Sequence, residues 1–178
     1  MCCHDAIIAG FGGQGILLAG KLLVWAGMLD DRHVTWFPSY GGEMRGGTAN
    51  CTVIVSDEDI GSPIVDRPEA LLAFNQASVD RFARRVAKGG FIIVNSSLAT
   101  RDVEVPGVRL IRVAANEVAE RLGDIKAANM VMLGAYLKAS GSLGLDKVIS
   151  ALESVIPAKY KDALPVNIAA LRDGYALV

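Results

Sequence analysis

The chain has 178 residues and a mass of 18.8 kDa, which fits one compact domain and excludes a large multidomain enzyme. Its 18 Lys and Arg residues against 19 Asp and Glu residues give a formal net charge of -1, which excludes the basic excess that general nucleic-acid binders use. Hydrophobic residues make up 52% of the chain and aromatic residues only 6%, a balance typical of layered α/β proteins with buried parallel strands.

The mean hydropathy of +0.36 is high for a monomer and indicates either a membrane span or a large buried interface. The uncharged stretch Ala6–Gly20 is shorter than the roughly 20 apolar residues that a spanning helix needs. The N-terminus also lacks the basic and apolar regions of a signal peptide. The sequence therefore predicts a cytoplasmic protein, not bound to a membrane, that buries apolar surface against other subunits.

The cysteines and histidines do not form a reactive or metal-binding set. Cys2, Cys3 and Cys51 include no C-x-x-C pair, so we expect no disulfide framework, zinc site or iron–sulfur cluster held by this chain alone. His4 and His33 have no second histidine at metal-ligand spacing. We therefore predict no metal site and no catalytic residue in this chain.

The first unit is predicted to be a strand over Ala6–Gly10, a glycine-rich turn to Gly15, and a helix that ends near Leu29. Four large apolar residues share one face of this helix at helical spacing: Leu18, Leu22, Trp25 and Leu29. Further apolar residues widen that face. We therefore expect the helix to be covered on more than one side.

The rest of the chain alternates strands with helices before it becomes helical. The predicted strands are His33–Phe37, Asn50–Ser56, Ala70–Phe74, Phe91–Val94 and Arg109–Val113. The predicted helices are Ser78–Val86, Glu117–Leu122, Ile125–Ser140, Leu145–Val155 and one near Asn167–Tyr175. This order predicts a single α/β domain over residues 1–178, a three-layer α/β/α Rossmann-like fold with a mostly parallel sheet and a helical C-terminal part from about residue 116.

Polar or glycine-rich loops follow several of these strands. They are residues 11–15, 39–47, 75–76 and 95–97. Because such folds bind ligands at the carboxyl ends of their strands, we expect these loops to gather on one edge of the sheet.

The spacing Gly10-x-Gly12-x-x-Gly15 matches the dinucleotide-binding fingerprint, since it follows a strand and opens a helix. The second strand ends in Trp36-Phe37-Pro38-Ser39, without the acidic residue that would hold a ribose. The glycines therefore either bind an anion or only form a tight turn that lets the helix pack closely. A free-standing NAD(P)-binding Rossmann oxidoreductase remains an alternative function.

The segment between Pro38 and Asn50 combines glycines with Tyr40, Glu43 and Arg45. The planar guanidinium of Arg45 is suited to bind a carboxylate or a phosphate. Glu43 is near enough in sequence to form a salt bridge with Arg45 instead, and this structural role remains open. A third function, a generic interaction protein whose glycine-rich edge binds only protein, is also left open.

Three segments carry a resemblance to a known family. They are G-F-G-G-Q-G-I-L-L-A-G at 10–20, P-S-Y-G-G-E-M-R-G-G-T-A-N at 38–50 and N-S-S at 95–97. The chain resembles, over nearly its whole length, the gamma subunit of 2-oxoacid:ferredoxin (acceptor) oxidoreductases. The E-M-R-G-G-T-A-N version of the second segment is most similar to the 2-oxoglutarate type.

The resemblance implies a complex that decarboxylates a 2-oxo acid on thiamine diphosphate and Mg, passes electrons through iron–sulfur clusters to ferredoxin, and transfers the acyl group to coenzyme A. This chain lacks a Gly-Asp-Gly motif, since Gly123-Asp124 is followed by Ile125. Thiamine and clusters are therefore expected on other subunits, which would be its partners, with ferredoxin as the acceptor. The chain itself is expected to hold no cofactor alone, to be inactive in isolation, and to form a homodimer when separated from these partners.

We hypothesise that the glycine-rich edge faces the thiamine-bearing subunits, where backbone amides and Arg45 position coenzyme A or neighbouring loops. The residues assigned to this edge are Gly12, Gly13, Gln14, Gly15, Ser39, Tyr40, Glu43, Met44, Arg45, Gly46, Gly47 and Asn75.

Overall fold

The computed structural model describes residues 3–40, 47–156 and 158–178. One sheet contains β1 (Cys3–Phe11), β2 (His33–Tyr40), β3 (Thr48–Ser56), β4 (Ala70–Ala73), β5 (Phe91–Asn95) and β6 (Arg109–Val113). The helices are α1 (Ile16–Met28), α2 (Gln76–Phe82), α3 (Ala115–Arg121), α4 (Ala128–Ser140), α5 (Leu145–Val155) and α6 (Leu164–Ala176). Short 3-10 turns lie at Ala83–Arg85, Ile125–Ala127 and Ala158–Ala163.

The strands lie side by side in the order β2-β3-β1-β4-β5-β6. β1, β4, β5 and β6 are parallel to one another, whereas β3 is antiparallel to both β1 and β2. Five strands therefore share one direction and β3 opposes them. The predicted α/β fold with a mostly parallel sheet is confirmed, with β3 as the exception.

Helices cover both faces of the sheet unequally. α1 and α3–α6 pack on one face around a large core that includes Leu22, Leu133 and Leu171. On the other face α2 forms a smaller core, in which Phe82 contacts apolar residues of the parallel strands. The parallel strands β4 and β5 are buried along their whole length. The expected three layers are therefore present, with most of the helical mass on one side.

Strand β2 continues through Pro38 to Tyr40, so the predicted end at Phe37 was wrong. β2 is an edge strand, with β3 as its one neighbour in the described sheet. Proline lacks an amide hydrogen, and an edge strand tolerates this because one side of the strand has no partner.

Several predicted helices differ at their ends: α3 begins at Ala115 rather than Glu117, and α6 begins at Leu164 rather than near Asn167. Helix α2 begins at Gln76 rather than Ser78, because the side chain of Asn75 caps it by accepting a hydrogen bond from the Ser78 amide at 2.9 Å. The helix predicted to begin at Ile125 starts as a 3-10 turn and becomes α-helical at Ala128. Asp124 caps that turn by accepting a hydrogen bond from the Lys126 amide at 2.9 Å.

Helix α1 packs closely on β2 and β3 through glycine and alanine. A Cβ atom on Gly20 would lie 2.6 Å from Sγ of Cys51, and one on Gly27 would lie 2.5 Å from Cγ1 of Val34. Of the apolar face predicted to be covered, Leu22 is buried, but Leu18, Trp25 and Leu29 are exposed in the single chain. Leu22 and Leu23 are buried together with glycine and alanine, and α5 packs on another side of α1, so the helix is covered on more than one side. Leu18, Trp25 and Leu29 lie on the side that the single chain leaves exposed.

Helices α4 and α6 also meet through glycine. A Cβ atom on Gly134 would lie 2.1 Å from the carbonyl oxygen of Leu171, and one on Gly174 would lie 2.0 Å from that of Val131. The two backbones are therefore in direct contact. In the described parts of the chain, no helix has the length and apolar character needed to cross a membrane.

Candidate functional site

The carboxyl ends of the parallel strands lie on one edge of the sheet and bring several of the predicted residues together. The turn after β1 and the segment before β3 are joined there, because the amide of Gly12 donates a hydrogen bond to the carbonyl of Gly47 at 2.9 Å. Ser39 lies near the end of β2 on the same edge and is exposed. Residues 41–46, which include Glu43, Met44, Arg45 and Gly46, lie outside the described residues, as does the side chain of Tyr40.

Gln14 and Asn75 bridge the point where the strand order reverses. The chain leaves β1 towards α1 on one face of the sheet and leaves the neighbouring β4 towards α2 on the other, which is where such sheets open a ligand crevice. Oε1 of Gln14 accepts hydrogen bonds there from the Phe11 amide at 2.6 Å and from Nδ2 of Asn75 at 3.2 Å. Two predicted site residues therefore meet across this crevice.

The glycines of the turn have different roles. A Cβ atom on Gly10 would lie 2.6 Å from the side chains of Gln14 and Ile16, and one on Gly15 would lie 2.2 Å from Nδ2 of Asn129. These two glycines allow close packing, as the tight-turn interpretation predicts. Gly13 has a φ of +95°, and a Cβ atom there would meet no other atom within 4 Å, so its backbone faces open space.

The geometry does not fit dinucleotide binding. In a dinucleotide-binding fold the second strand lies beside the first and its end holds the ribose. Here the antiparallel β3 separates β1 from β2. The amide of Gly12 is also already bonded to Gly47, and that of Gln14 is bonded to the carbonyl of Phe11 at 3.2 Å. Fewer backbone amides of the turn are therefore available to donate hydrogen bonds to a pyrophosphate.

Further side-chain amides lie at this edge: Asn95 begins the 95–97 loop that the sequence places there, whereas Asn116 and Asn129 were not selected from the sequence. Nδ2 of Asn95, at the end of β5, donates to Oδ1 of Asn116 in α3 at 2.9 Å. Nδ2 of Asn129 in α4 lies 3.4 Å from the carbonyl of Gly15, to which it donates. Asn95 and Asn129 are buried, although polar residues are usually exposed. The sequence offered one signal for these residues, a polar asparagine within the otherwise apolar run of α4. That asparagine is far along the chain from the ends of the strands.

Three cavities open on this edge, and Gly13 lines all of them. The first, of about 350 Å³, lies between the β1–α1 turn and the start of β3. The second, of about 190 Å³, is lined by Gln14, Asn95, Asn116 and Lys126. The third, of about 400 Å³, lies between the start of α1 and the segments around Lys126 and Ile156. We call the three together the Gly13 cleft.

The Gly13 cleft is suited to binding rather than to proton transfer. Asp124 and Lys126 are its titratable residues within the ranges that the structure describes, and Asp124 is engaged as a cap. The Lys126 ammonium has no ion-pair partner among the described side chains and is exposed. Carboxamides, a lysine and backbone amides can together orient a polar, anionic ligand.

The thiols lie away from the cleft linings. Burial raises the pKa of the Cys51 thiol to about 12. Cys3 is exposed and Cys51 is buried, and Cys2 lies outside the described residues. Within residues 3–40, 47–156 and 158–178, no group of three or more His, Cys, Asp and Glu side chains is placed to hold a metal ion.

Comparisons with known proteins agree on one family. The sequence profile for pyruvate ferredoxin/flavodoxin oxidoreductase matches residues 5–177. The ketoisovalerate oxidoreductase subunit VorA of Methanothermobacter thermautotrophicus is 48% identical over 140 residues, which are 79% of this chain and 29% of VorA. The 2-oxoglutarate synthase subunit KorC of Methanothermobacter marburgensis is 33% identical over 178 residues, covering 96% of this chain and 94% of KorC.

A solved structure shows the same fold. The gamma subunit of keto/oxoacid ferredoxin oxidoreductase from Geobacter sulfurreducens superposes with a TM-score of 0.84 at 27% identity, covering 98% of this chain and 97% of that one. The chain thus spans nearly the whole of this subunit and of KorC, but only 29% of VorA.

Proposed function

Because the chain belongs to the pyruvate ferredoxin/flavodoxin oxidoreductase family, we propose that it is the gamma-type subunit of a 2-oxoacid:ferredoxin oxidoreductase complex. The complex oxidises a 2-oxo acid to an acyl-coenzyme A and CO2 and reduces ferredoxin. This chain contributes to assembly and to the positioning of coenzyme A, and other subunits carry the thiamine diphosphate and the iron–sulfur clusters.

One observation carries the proposed role of the chain: the Gly13 cleft offers ligand-binding groups at the reversal of the strand order but no acid–base pair among the described residues. Asn116, Lys126 and the open backbone at Gly13 line it. Such groups hold and orient a substrate, and a well-oriented second substrate lowers the barrier of a bimolecular step through entropy. The chain therefore acts on the reaction through position.

Coenzyme A fits the chemistry of this cleft. Its phosphates are suited to the Lys126 ammonium, and its amide groups are suited to hydrogen bonds with asparagine carboxamides. Gly13 allows the ligand to approach the backbone closely, since no side chain stands there. Arg45, on the segment before β3, is proposed as a second group for a phosphate or carboxylate.

The chain does not offer a site for thiamine diphosphate and its magnesium ion among its described residues. Asp124 lies in the segment most similar to a Gly-Asp-Gly motif. Its side chain accepts a hydrogen bond from the Lys126 amide and caps the 3-10 turn that follows α3. Gly123 before it has a φ of +91°, which fits a turn. This supports the assignment of that cofactor to another subunit.

The 2-oxo acid is proposed to be 2-oxoglutarate or ketoisovalerate. The E-M-R-G-G-T-A-N motif favours 2-oxoglutarate, whereas the identity of 48% with VorA against 33% with KorC favours ketoisovalerate. The two acids differ in charge, because 2-oxoglutarate has a second carboxylate and ketoisovalerate has a branched apolar end.

The test is purification of the native complex through an affinity tag on this chain. We expect the thiamine-bearing and iron–sulfur subunits to co-purify and the complex to reduce ferredoxin only when coenzyme A and one of the two acids are present. Side-by-side assays with 2-oxoglutarate and ketoisovalerate identify the substrate. Turnover of a 2-oxo acid by the chain alone, or purification without such subunits, would contradict the proposal.

A further inference from the structure

A separate cavity lies past the Gly13 cleft, where strands β5 and β6 end. Its volume is about 320 Å³, and Ser96, Arg112 and Arg121 are among its lining residues. Ser96 directly follows β5, Arg112 lies one residue before the end of β6, and Arg121 ends α3. We call this space the Arg121 cavity. Because sheets of this kind bind ligands at the carboxyl ends of their strands, it is a candidate for a second ligand site.

The Arg121 cavity is distinct from the Gly13 cleft. Within the described parts of the chain, it shares no lining residue with the three cavities of that cleft. Asn95 and Asn116, which line the second cavity of the cleft, are the chain neighbours of Ser96 and Glu117, which line the Arg121 cavity. The hydrogen-bonded pair of asparagines therefore lies between the two spaces.

The guanidinium of Arg112 is held in place and still has donors to offer. Its Nη2 donates to Oδ1 of Asp102 at 2.7 Å and to the carbonyl of Arg101 at 3.4 Å. A guanidinium has five N–H donors, and both of these bonds come from one nitrogen. Among the described residues, no group accepts a hydrogen bond from Nε or Nη1. Arg112 can therefore bind a ligand without leaving Asp102.

Arg121 and Ser96 supply two further donors. Arg121 is exposed and forms no ion pair with a described side chain, although Glu117 lies four residues before it, at the spacing that favours one. The amide of Ser96 donates to the carbonyl of Val113 at 2.8 Å, which restrains the residue, while its hydroxyl bonds to no described group. Three available donor groups, each from a different element, therefore line one cavity.

This donor set fits a phosphate group. A phosphate monoester presents three terminal oxygens and about 1.5–2 negative charges at neutral pH, which match two guanidiniums and a hydroxyl. A carboxylate offers only two oxygens and one charge. Val113, Val118 and Leu177 line another part of the cavity and suit a small uncharged substituent. Glu117, the one carboxylate among the described lining residues, opposes an anion and limits its affinity.

We propose that the Arg121 cavity binds the phosphate group of a small phosphate monoester. Arg112 and Arg121 bind the phosphate oxygens through their guanidiniums, and the hydroxyl of Ser96 donates a further hydrogen bond. This inference goes beyond the proposed function, because the site lies outside the Gly13 cleft and does not require coenzyme A to bind this chain.

The test is a titration of the full isotope-labelled chain, followed by amide NMR shifts at constant ionic strength. The two probes are inorganic phosphate and methyl phosphate, which is a monoester. We expect saturable shifts around Ser96, Arg112 and Arg121, with methyl phosphate bound at least as tightly as inorganic phosphate. Binding of inorganic phosphate alone would overturn the assignment to a monoester. Shifts confined to Gly13 and Lys126 would place the anion in the Gly13 cleft and overturn the inference.

Arg121→Gln should weaken the binding of methyl phosphate at least about tenfold, because it removes a charge-assisted contact. Arg84→Gln is the matched control, since Arg84 is also exposed and forms no ion pair with a described side chain, but lies in the 3-10 turn after α2. This control should bind as the wild type does. Equal weakening in both variants would show only a general effect of charge and would overturn the inference.

Glu117→Gln tests the sign of the ligand charge. Loss of this carboxylate should tighten the binding of methyl phosphate by about two- to fivefold, because it removes a repulsion. Weaker binding would mean that Glu117 itself holds the ligand, which a phosphate dianion does not allow, and would overturn the assignment.

Thermal unfolding separates a ligand contact from a structural role of Arg121. In chloride, Arg121→Gln should unfold at nearly the same temperature as the wild type, because the side chain is exposed and unpaired among the described residues. Methyl phosphate should then stabilise the wild type more than this variant, since a ligand stabilises the state that binds it. Equal stabilisation of the two proteins would contradict the proposed site, whatever the effect of the substitution on folding.

Discussion

Asn95 and Asn116 form a hydrogen bond across the second cavity, with Nδ2 of Asn95 2.9 Å from Oδ1 of Asn116. Oδ1 of Asn95 also accepts from the amides of Ser97 and Ala115, each at 3.3 Å. A single buried side chain thus connects the end of β5, the loop after it and the first turn of α3.

Replacement of Asn95 should reduce stability more than replacement of Asn116. Asn95→Ala leaves the buried Ala115 amide without its acceptor, and an unsatisfied buried donor costs about 1–3 kcal/mol. Asn116→Ala removes one bond, that from Nδ2 of Asn95, whereas Asn95→Ala removes this bond and the two that Oδ1 of Asn95 accepts. Urea unfolding of both variants measures the difference, and equal loss of stability would contradict the role assigned to Asn95.

Alanine substitutions at Gly13 and Gly15 should separate an effect on coenzyme A binding from an effect on stability. Alanine at position 15 would place Cβ 2.2 Å from Nδ2 of Asn129 and also requires a positive φ, so we expect a loss of at least about 2 kcal/mol. Alanine at position 13 meets no atom within 4 Å and should cost only about 1–2 kcal/mol for its backbone conformation.

The Gly13→Ala variant should instead raise the KM for coenzyme A in the assembled complex, because its methyl group enters the cleft. Steady-state kinetics at varied coenzyme A concentration, beside thermal unfolding of both variants, checks the two effects. An unchanged KM in Gly13→Ala would place the coenzyme A site elsewhere.

The contact between α4 and α6 should not tolerate a side chain at Gly134. A methyl group there would lie 2.1 Å from the carbonyl oxygen of Leu171, so the helices must move apart. Overpacking of this kind costs about 1–3 kcal/mol, and a backbone neighbour makes the upper end the expectation. Gly61→Ala, whose Cβ would meet open space, is the control in urea unfolding and should change stability by less than about 0.5 kcal/mol.

Asp5 should make the protein less stable as the pH rises through the acidic range. Burial raises the pKa of its carboxyl, and the nearby Glu69 charge adds to this, while the hydrogen bond from the Glu69 amide and the charge of His4 oppose it. The folded state therefore holds this proton more tightly than the unfolded state does, and stability falls as the pH passes from the unfolded pKa to the folded one.

Asp5→Asn keeps an acceptor for the Glu69 amide, which Oδ1 of Asp5 contacts at 2.7 Å, and removes the buried charge. We expect this variant to be at least as stable as the wild type at neutral pH, with a flatter dependence on pH below that. Denaturant unfolding between acidic and neutral pH measures both curves. A wild-type stability that rises with pH at this site, relative to the variant, would contradict the sign.

Cys51 should resist thiol reagents while the protein is folded. A pKa of about 12 leaves almost no thiolate at mildly alkaline pH, and burial blocks access to the sulfur. Iodoacetamide labelling followed by peptide mapping should therefore modify the exposed Cys3 first, and Cys51 only after urea is added. Equal labelling of Cys3 and Cys51 in the native protein would indicate local opening near Trp36.

The sequence predicted the number and position of the strands because each is a short apolar run bounded by turn residues. Hydrophobic pattern does not encode direction, and this is why β3 was not predicted to be antiparallel. The link of residues 41–47 between β2 and β3 could have indicated it, because a parallel crossover needs about a dozen residues or more.

The candidate site was predictable where its residues directly follow strands, as Gln14 and Asn75 do. Asn116, Lys126 and Asn129 come from helical segments after β6, and only the folding of those segments over the sheet brings them to its edge. Apart from the position of Asn129 within the apolar run of α4, no local pattern marks such residues. Their identification needed the packing of α3 and α4 against the main core.

The antiparallel placement of β3 has a consequence for chemical biology. In dinucleotide-binding enzymes, the strand beside β1 carries the residue that binds the adenosine ribose. Here the antiparallel pair β2 and β3 occupies that position, although the glycine spacing after β1 is the same. Nicotinamide-dinucleotide mimics should therefore have no selective affinity for this subunit. Probes shaped to the space around Gly13 are the better starting point for labelling it.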